Sequence, residues 1–213
     1  MRNGIMAGLL VAAMFTPAAH AQSGAEQLLR PQAKGYVQGF EHTQPNGGRM
    51  WEYVPAGQTV QNWTEMLTVN ASPPTPQMTP RQYLAFIEQG WMNACPGASN
   101  HWIIEGEENG YPFAVLQLTC PNNPQSGKPE YTWFKGIKGQ EHFYVVQKAF
   151  RFEPAAAQVV QWVQYLHEVR VCNERDARHP CPAPAAAPRR AAEARRSASP
   201  STVLHGGGAS VQM

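Results

Sequence analysis

Alternation of apolar and polar residues with a period of two recurs along the middle of the chain and predicts β-strands. Turn sequences separate these stretches. Asn46-Gly47 and Asn109-Gly110 are examples, because both residues accept the positive φ that a tight hairpin turn requires. The pattern predicts seven strands, at residues 36–43, 49–54, 62–70, 101–105, 111–120, 131–137 and 142–152.

Helical spacing of apolar residues appears in two places. Thr79 can cap the first helix, Pro80 suits its first position, and Gln82 completes a capping box. This helix ends at Cys95-Pro96-Gly97, and Pro154 begins the second helix. The buried face of the second helix is expected to carry Val159, Val163 and Leu166, with Val160 and Trp162 alongside.

The order of these elements is three strands, a helix, four strands and a helix. Strands joined by short turns must be antiparallel, and amphipathic helices must cover a face of the sheet. We therefore expect a single α+β domain over residues 35–182: one antiparallel sheet of about six to seven strands with two helices packed on it.

The N-terminal residues have the three parts of a signal peptide. Arg2 precedes an apolar stretch at residues 4–15, and Ala19-His20-Ala21 is a small-x-small cleavage site. The apolar stretch is shorter than the roughly 20 residues of a membrane-spanning helix, although an N-terminal anchor remains an alternative. We expect a signal peptide over residues 1–21, cleavage after Ala21, no later transmembrane segment, and a periplasmic or secreted protein.

Two segments outside the predicted domain lack strand or helix patterns. Residues 22–34 are polar and are expected to form a flexible lead-in. Residues 183–213 are rich in Ala, Pro and Arg and are expected to be disordered, since they have little apolar surface to bury. Arg189, Arg190, Arg195 and Arg196 make this tail locally basic, so it is either a solvated tail or a weak tether to an anionic lipid or wall polymer.

Cleavage after Ala21 would leave 192 residues with a net charge near +1, because the signal carries one arginine and no acid. A net charge this small does not indicate nucleic-acid binding. It is compatible with one domain that has a substantial core.

All four cysteines follow the signal: Cys95, Cys120, Cys172 and Cys181. An even number in an exported protein favours disulfides, and three pairings are possible. We favour the local pairing, Cys95–Cys120 with Cys172–Cys181. A redox or zinc site is the alternative, but there is no Cys-x-x-Cys pair and the spacing does not fit a zinc ligand set.

Polar residues in the strand at 142–152 suggest a binding surface. Gln147 and Lys148 are adjacent, so one points to each face of the sheet, and Arg151 continues the Gln147 side. Gln117 has a similar position in a neighbouring strand. The hypothesis is a polar cleft, lined by Gln147 and Arg151, that holds a small anion or a peptide carboxylate; otherwise this face is simply solvated.

Evidence for catalysis is weak. The candidate acids and bases are Glu105, Glu107, Glu108, Glu141 and His142. They would have to converge in one pocket to act as acid and base. No motif indicates a nucleotide, a cofactor or a bound metal, so we expect none and lean against an enzyme.

Six short sequences stand out between residues 62 and 182: Asn62-Trp63-Thr64-Glu65-Met66, Cys95-Pro96-Gly97, Ser126-Gly127-Lys128-Pro129-Glu130, Tyr144-Val145-Val146-Gln147, Ala149-Phe150-Arg151 and His179-Pro180-Cys181. Together they resemble an uncharacterised family of exported, periplasmic bacterial proteins, which implies no particular activity. In arrangement the chain more distantly resembles the PsbP-like fold group, whose domains are exported or accessory modules, mostly without catalytic residues.

Two functions follow as expectations. The first is a non-enzymatic binding or accessory module in the cell envelope, whose partner is an unknown envelope protein or small ligand. The alternative is a hydrolase or other enzyme that acts on an envelope component.

Overall fold

A computed structural model describes residues 25–183 of the chain. It contains nine strands and two helices within those residues: β1 (Glu26–Leu29), β2 (Tyr36–Thr43), β3 (Arg49–Pro55), β4 (Glu65–Ser72), α1 (Pro80–Ala94), β5 (Ser99–Glu108), β6 (Tyr111–Asn123), β7 (Lys128–Lys138), β8 (Phe143–Phe150), α2 (Ala156–Glu168) and β9 (Arg170–Asn173).

Seven of the strands form one antiparallel sheet in the order β2-β3-β4-β8-β7-β6-β5. The predicted α+β class is confirmed. The seven strands of this sheet and the two helices follow one another along the chain in the predicted order. Within this sheet, β4 and β8 are the neighbours farthest apart in the sequence, and they pair from Glu65 opposite Phe150 to Ser72 opposite Phe143.

Helix α1 covers one face of the sheet, called here the α1 face. The Thr79 hydroxyl accepts a hydrogen bond from the Gln82 backbone N–H, and the Gln82 side chain accepts one from the Thr79 N–H, so the predicted capping box is confirmed. Leu84 is fully buried against β6 and β7, where its neighbours are Ala114, Leu116, Leu118 and Phe134.

Helix α2 packs on the opposite face, the α2 face, and part of its predicted stripe is buried: Leu166 and the neighbouring Trp162. Val163 was expected to be buried, whereas it is 39% exposed, and Val159 is only partly buried. The buried residues are Trp162, Tyr165 and Leu166. The two aromatic rings lie three residues apart on one side of the helix, and their larger apolar area turns that side toward the sheet.

Strands β1 and β9 form a separate antiparallel ribbon that also packs on the α2 face. The flexible lead-in predicted over residues 22–34 is therefore wrong for Glu26–Leu29, which form a paired strand. The reason is a long-range contact, since Gln27 pairs with Cys172 and Glu26 with Asn173.

Both disulfides have the predicted local pairing. Cys95–Cys120 joins the end of α1 to β6, and Cys172–Cys181 joins β9 to the segment that follows it. The predicted signal peptide lies outside the described residues, as does the tail from residue 184 onward. Across residues 25–183, neither helix has the length and apolar character needed to cross a membrane.

Candidate ligand-binding cleft

An open cleft of about 320 Å³ lies between β1 and the part of the α2 face formed by β3, β4 and β8. We call it the β1 cleft. Its lining residues are Glu26, Leu28, Arg30, Arg49, Trp51, Tyr53, Val69, Ala71, His142 and Tyr144.

The period of the strands explains why these side chains meet. Arg49, Trp51 and Tyr53 alternate along β3, so all three point to the α2 face. The register places Arg49 opposite Ala71 and Trp51 opposite Val69 on β4. Across the cleft, the same alternation in and just after β1 points the side chains of Glu26, Leu28 and Arg30 into the cleft.

Two guanidinium groups lie at the cleft, each over an aromatic ring. Arg30 donates to the Tyr53 hydroxyl at 2.8 Å, and its Cζ lies 4.6 Å from the centre of that ring. The Cζ of Arg49 lies 4.5 Å from the centre of the Trp51 ring. Arg49 also pairs with Glu41 at 2.6 Å, but both side chains are exposed, and such a pair is weak and easily exchanged for another anion.

Glu26 closes one end of the cleft and is already fully engaged. Its carboxylate accepts backbone hydrogen bonds from Gln140, Glu141 and His142 at 2.5, 3.2 and 3.0 Å. Gly139 precedes these donors, and a Cβ there would collide with the Glu26 carboxylate and the His142 carbonyl oxygen. The acid is thus a structural clamp on the β7–β8 turn.

Tyr144 supplies a neutral hydroxyl beside this clamp. Burial raises the pKa of Tyr144, and the nearby Glu26 carboxylate raises it further. The hydroxyl therefore stays protonated at physiological pH. It lies 3.4 Å from His142 Nδ1, so the cleft combines two cations with a neutral polar edge.

The structure divides the residues of the predicted polar cleft between the two faces of the sheet. Gln147 lies opposite Phe134 and Thr68 and points to the α1 face. Gln117 lies opposite Trp133, whose ring belongs to the core of the α2 face. Gln117 and Gln147 therefore lie on opposite faces of the sheet, because a shift of one residue in register moves a side chain to the other face.

Arg151 follows β8 on the Gln147 side. Its Cζ lies 3.8 Å from the centre of the Trp63 ring, and within the described residues its buried Nε has no hydrogen-bond partner. Glu130 is nearby: burial raises the pKa of this carboxyl, while the Arg151 charge opposes that rise. Ligand binding by Gln147 and Arg151 stays a prediction.

The candidate acids and bases occupy different places. His142 lines the β1 cleft, whereas Glu108 lines a second cavity, between β5 and α2, and accepts a hydrogen bond from Lys135 at 2.5 Å. Glu105 and Glu107 lie exposed on β5. In residues 25–183 no group of three or more histidine, cysteine or acidic side chains is placed to hold a metal ion.

Two lysines for which the sequence predicted no role are buried. Lys148 is fully buried and donates to the Tyr36 hydroxyl at 2.6 Å and to Glu65 at 2.7 Å. Lys135 is also buried. The alternation of residues along β8 could have indicated that Lys148 is buried, because Lys148 lies between Val146 and Phe150 on a face that is otherwise apolar.

Comparisons with known proteins leave the family open. No protein-family model matches the chain, and no curated protein sequence does either. LpqN, described as involved in cell envelope biogenesis of Mycobacterium tuberculosis, is similar in structure at a TM-score of 0.40 and 15% identity, over 71% of this chain and 86% of that one. A Mog1 E65A mutant is similar at a TM-score of 0.41 and 9% identity, over 68% of this chain and 95% of that one. Likenesses at this level carry no argument about function.

Proposed function

We propose that this protein is an exported, non-catalytic binding module that holds an anionic group attached to an aromatic or apolar body in the β1 cleft. The observation that carries the proposal is that two guanidinium groups, Arg30 and Arg49, line one cleft together with the aromatic rings of Trp51 and Tyr53. The envelope is the expected place of action, because the N-terminal sequence has the features of a signal peptide and two disulfides suit an oxidising compartment.

The anionic part of the ligand follows from charge. Glu26 is held by three backbone donors. The acid that pairs with Arg49 within residues 25–183 is the exposed Glu41, so an incoming carboxylate or phosphate can replace Glu41 at Arg49. Guanidinium groups bind both anions with two parallel hydrogen bonds.

The apolar part of the ligand is inferred from the apolar residues that line the β1 cleft. Trp51 and Tyr53 present ring surface, and Leu28, Val69 and Ala71 add aliphatic surface around them. A cleft of about 320 Å³ is at the small end of ligand sites, which is suited to one aromatic group with its anion.

The test uses the full chain, uniformly labelled with ¹⁵N, and three probes: N-acetyl-phenylalanine, its uncharged amide, and phenyl phosphate. Titration of the carboxylate is expected to shift the Trp51 indole N–H signal, and the amide is expected not to. Comparison with phenyl phosphate separates a carboxylate ligand from a phosphate ligand. Arg49→Ala should weaken binding about tenfold, which is the effect of one charge-assisted hydrogen bond.

Arg151→Ala is the matched control, because Arg151 also lies over a tryptophan but on the other face. It should leave the affinity unchanged. A shift of the Trp63 indole signal instead, lost in Arg151→Ala, would transfer the ligand to the Gln147 and Arg151 surface and refute the β1 cleft as its site.

A further inference from the structure

Strand β5 forms one edge of the seven-stranded sheet. Within residues 25–183 it pairs only with β6, so one side of its backbone has no partner among the described strands. A bulge between Trp102 and Ile104 interrupts the pairing, but from Ile104 to Glu108 the register is regular. Such an edge is a template for another extended segment.

An apolar cavity of about 160 Å³ adjoins this regular part of β5, and we call it the β5 cavity. Its lining residues are Ile103, Ile104, Glu108, Phe113, Val115, Lys135, Val163, Leu166 and His167. Ile104 is 57% exposed and Val163 is 39% exposed at its rim. The Lys135 ammonium group already donates to Glu108 and to the Val169 carbonyl, so the cavity suits an aliphatic group.

The strand alternates between this cavity and an acidic side. Ile104 lies opposite Val115 and points to the α2 face, as does Glu108. Glu105 lies opposite Ala114, so Glu105 and Glu107 point the other way and are exposed. A second copy of β5 paired antiparallel over Ile104–Glu108 would place Glu105 opposite Glu107, and like charges in that position are destabilising.

We infer that the free edge of β5 binds an extended, basic segment of a partner protein. The segment adds a strand beside Ile104–Glu108, one aliphatic side chain enters the β5 cavity, and the alternate Lys or Arg side chains face Glu105 and Glu107. Main-chain hydrogen bonds then supply affinity, while the cavity and the two carboxylates select the sequence.

The experiment titrates a fluorescein-labelled peptide, Thr-Lys-Leu-Lys-Val-Lys-Thr, with the full chain of this protein. Fluorescence anisotropy is expected to show binding of this peptide and none of Thr-Glu-Leu-Glu-Val-Glu-Thr. Ile104→Asp should weaken binding at least about tenfold, because it puts a charge at the mouth of an apolar cavity. Val37→Asp is the matched control, since Val37 is 47% exposed on the opposite edge strand, β2.

A charge-reversal variant, Glu105→Lys with Glu107→Lys, should exchange the preference so that the acidic peptide binds and the basic one does not. Equal affinities for Ile104→Asp and Val37→Asp, or no binding of the basic peptide, would overturn the inference. A dimer in sedimentation velocity that Ile104→Asp dissolves would assign the edge to a second copy instead. Arg49→Ala should leave peptide binding intact, so this result is independent of the β1 cleft.

Discussion

At the scale of single residues, buried charges in this domain serve to fix the backbone. Glu26 is the clearest case, since it is 6% exposed and accepts hydrogen bonds from three consecutive residues, Gln140 to His142. Three inward-pointing N–H groups form a small anion site, and the carboxylate of β1 fills it.

Replacement of Glu26 by Gln tests this clamp. The amide keeps one acceptor oxygen but turns an NH₂ group toward backbone donors, so at least one buried N–H loses its partner. We expect the free energy of unfolding to fall by about 2–3 kcal/mol, measured by urea denaturation. Glu168→Gln, at an exposed position on α2, is the control and should change stability little. Equal losses in the two variants would contradict the clamp.

At the scale of elements, the sequence was sufficient wherever an element carried its own signal. The capping box at Thr79 and the alternation of β6 each predict an element without reference to the rest of the chain. The β1–β9 ribbon has no such signal, because each strand has only four residues and gains its stability from the other.

The β1 cleft could be predicted only in part, again because some of its residues meet through long-range contacts. Arg49, Trp51 and Tyr53 alternate visibly within β3, so a shared face could be predicted. Their cleft exists only because Leu28 and Arg30 return over that face, and this contact depends on β9. Residues on opposite faces, such as Gln117 and Gln147, could not be separated without the register.

The disulfide Cys172–Cys181 should therefore control β1 as well as β9. Its closure of a short loop is expected to contribute about 2–3 kcal/mol by restricting the unfolded chain. In Cys172→Ser with Cys181→Ser, we expect faster amide hydrogen exchange in Gln27–Leu29, because β9 is freer to separate from β1. Cys95→Ser with Cys120→Ser is the control, since that bridge joins α1 to β6 and should leave exchange in β1 unchanged.

At the scale of the whole molecule, two buried lysines and a partly buried tyrosine near the α2 face give the fold a characteristic dependence on pH. Burial lowers the pKa of Lys148 to about 8, against 10.5 for an ordinary lysine, although its hydrogen bond to Glu65 opposes the shift. Burial lowers the pKa of Lys135 as well. Burial also raises the pKa of Tyr36, and the adjacent Glu65 raises it further.

The sign of the dependence follows from proton binding. Between pH 8 and 10.5 the unfolded chain keeps a proton on Lys148 that the folded chain has lost, so stability rises with pH in this window. Below pH 8 both states are protonated at Lys148 and this contribution is constant. Above pH 10 Tyr36 ionises in the unfolded chain but not in the folded chain. The contribution of Tyr36 to the free energy of unfolding therefore decreases as the pH rises further.

We therefore expect the free energy of unfolding to increase by about 2 kcal/mol from pH 8 to pH 10 and then to decrease. Urea denaturation at pH 7, 8, 9, 10 and 11 would measure it. In Lys148→Met the rise should become smaller, because only Lys135 remains to lose its proton early, whereas Lys34→Met, an exposed control, should keep the wild-type profile. A flat or falling profile from pH 8 to 10 in the wild-type protein would mean that Lys148 keeps its proton in the fold, held by Glu65.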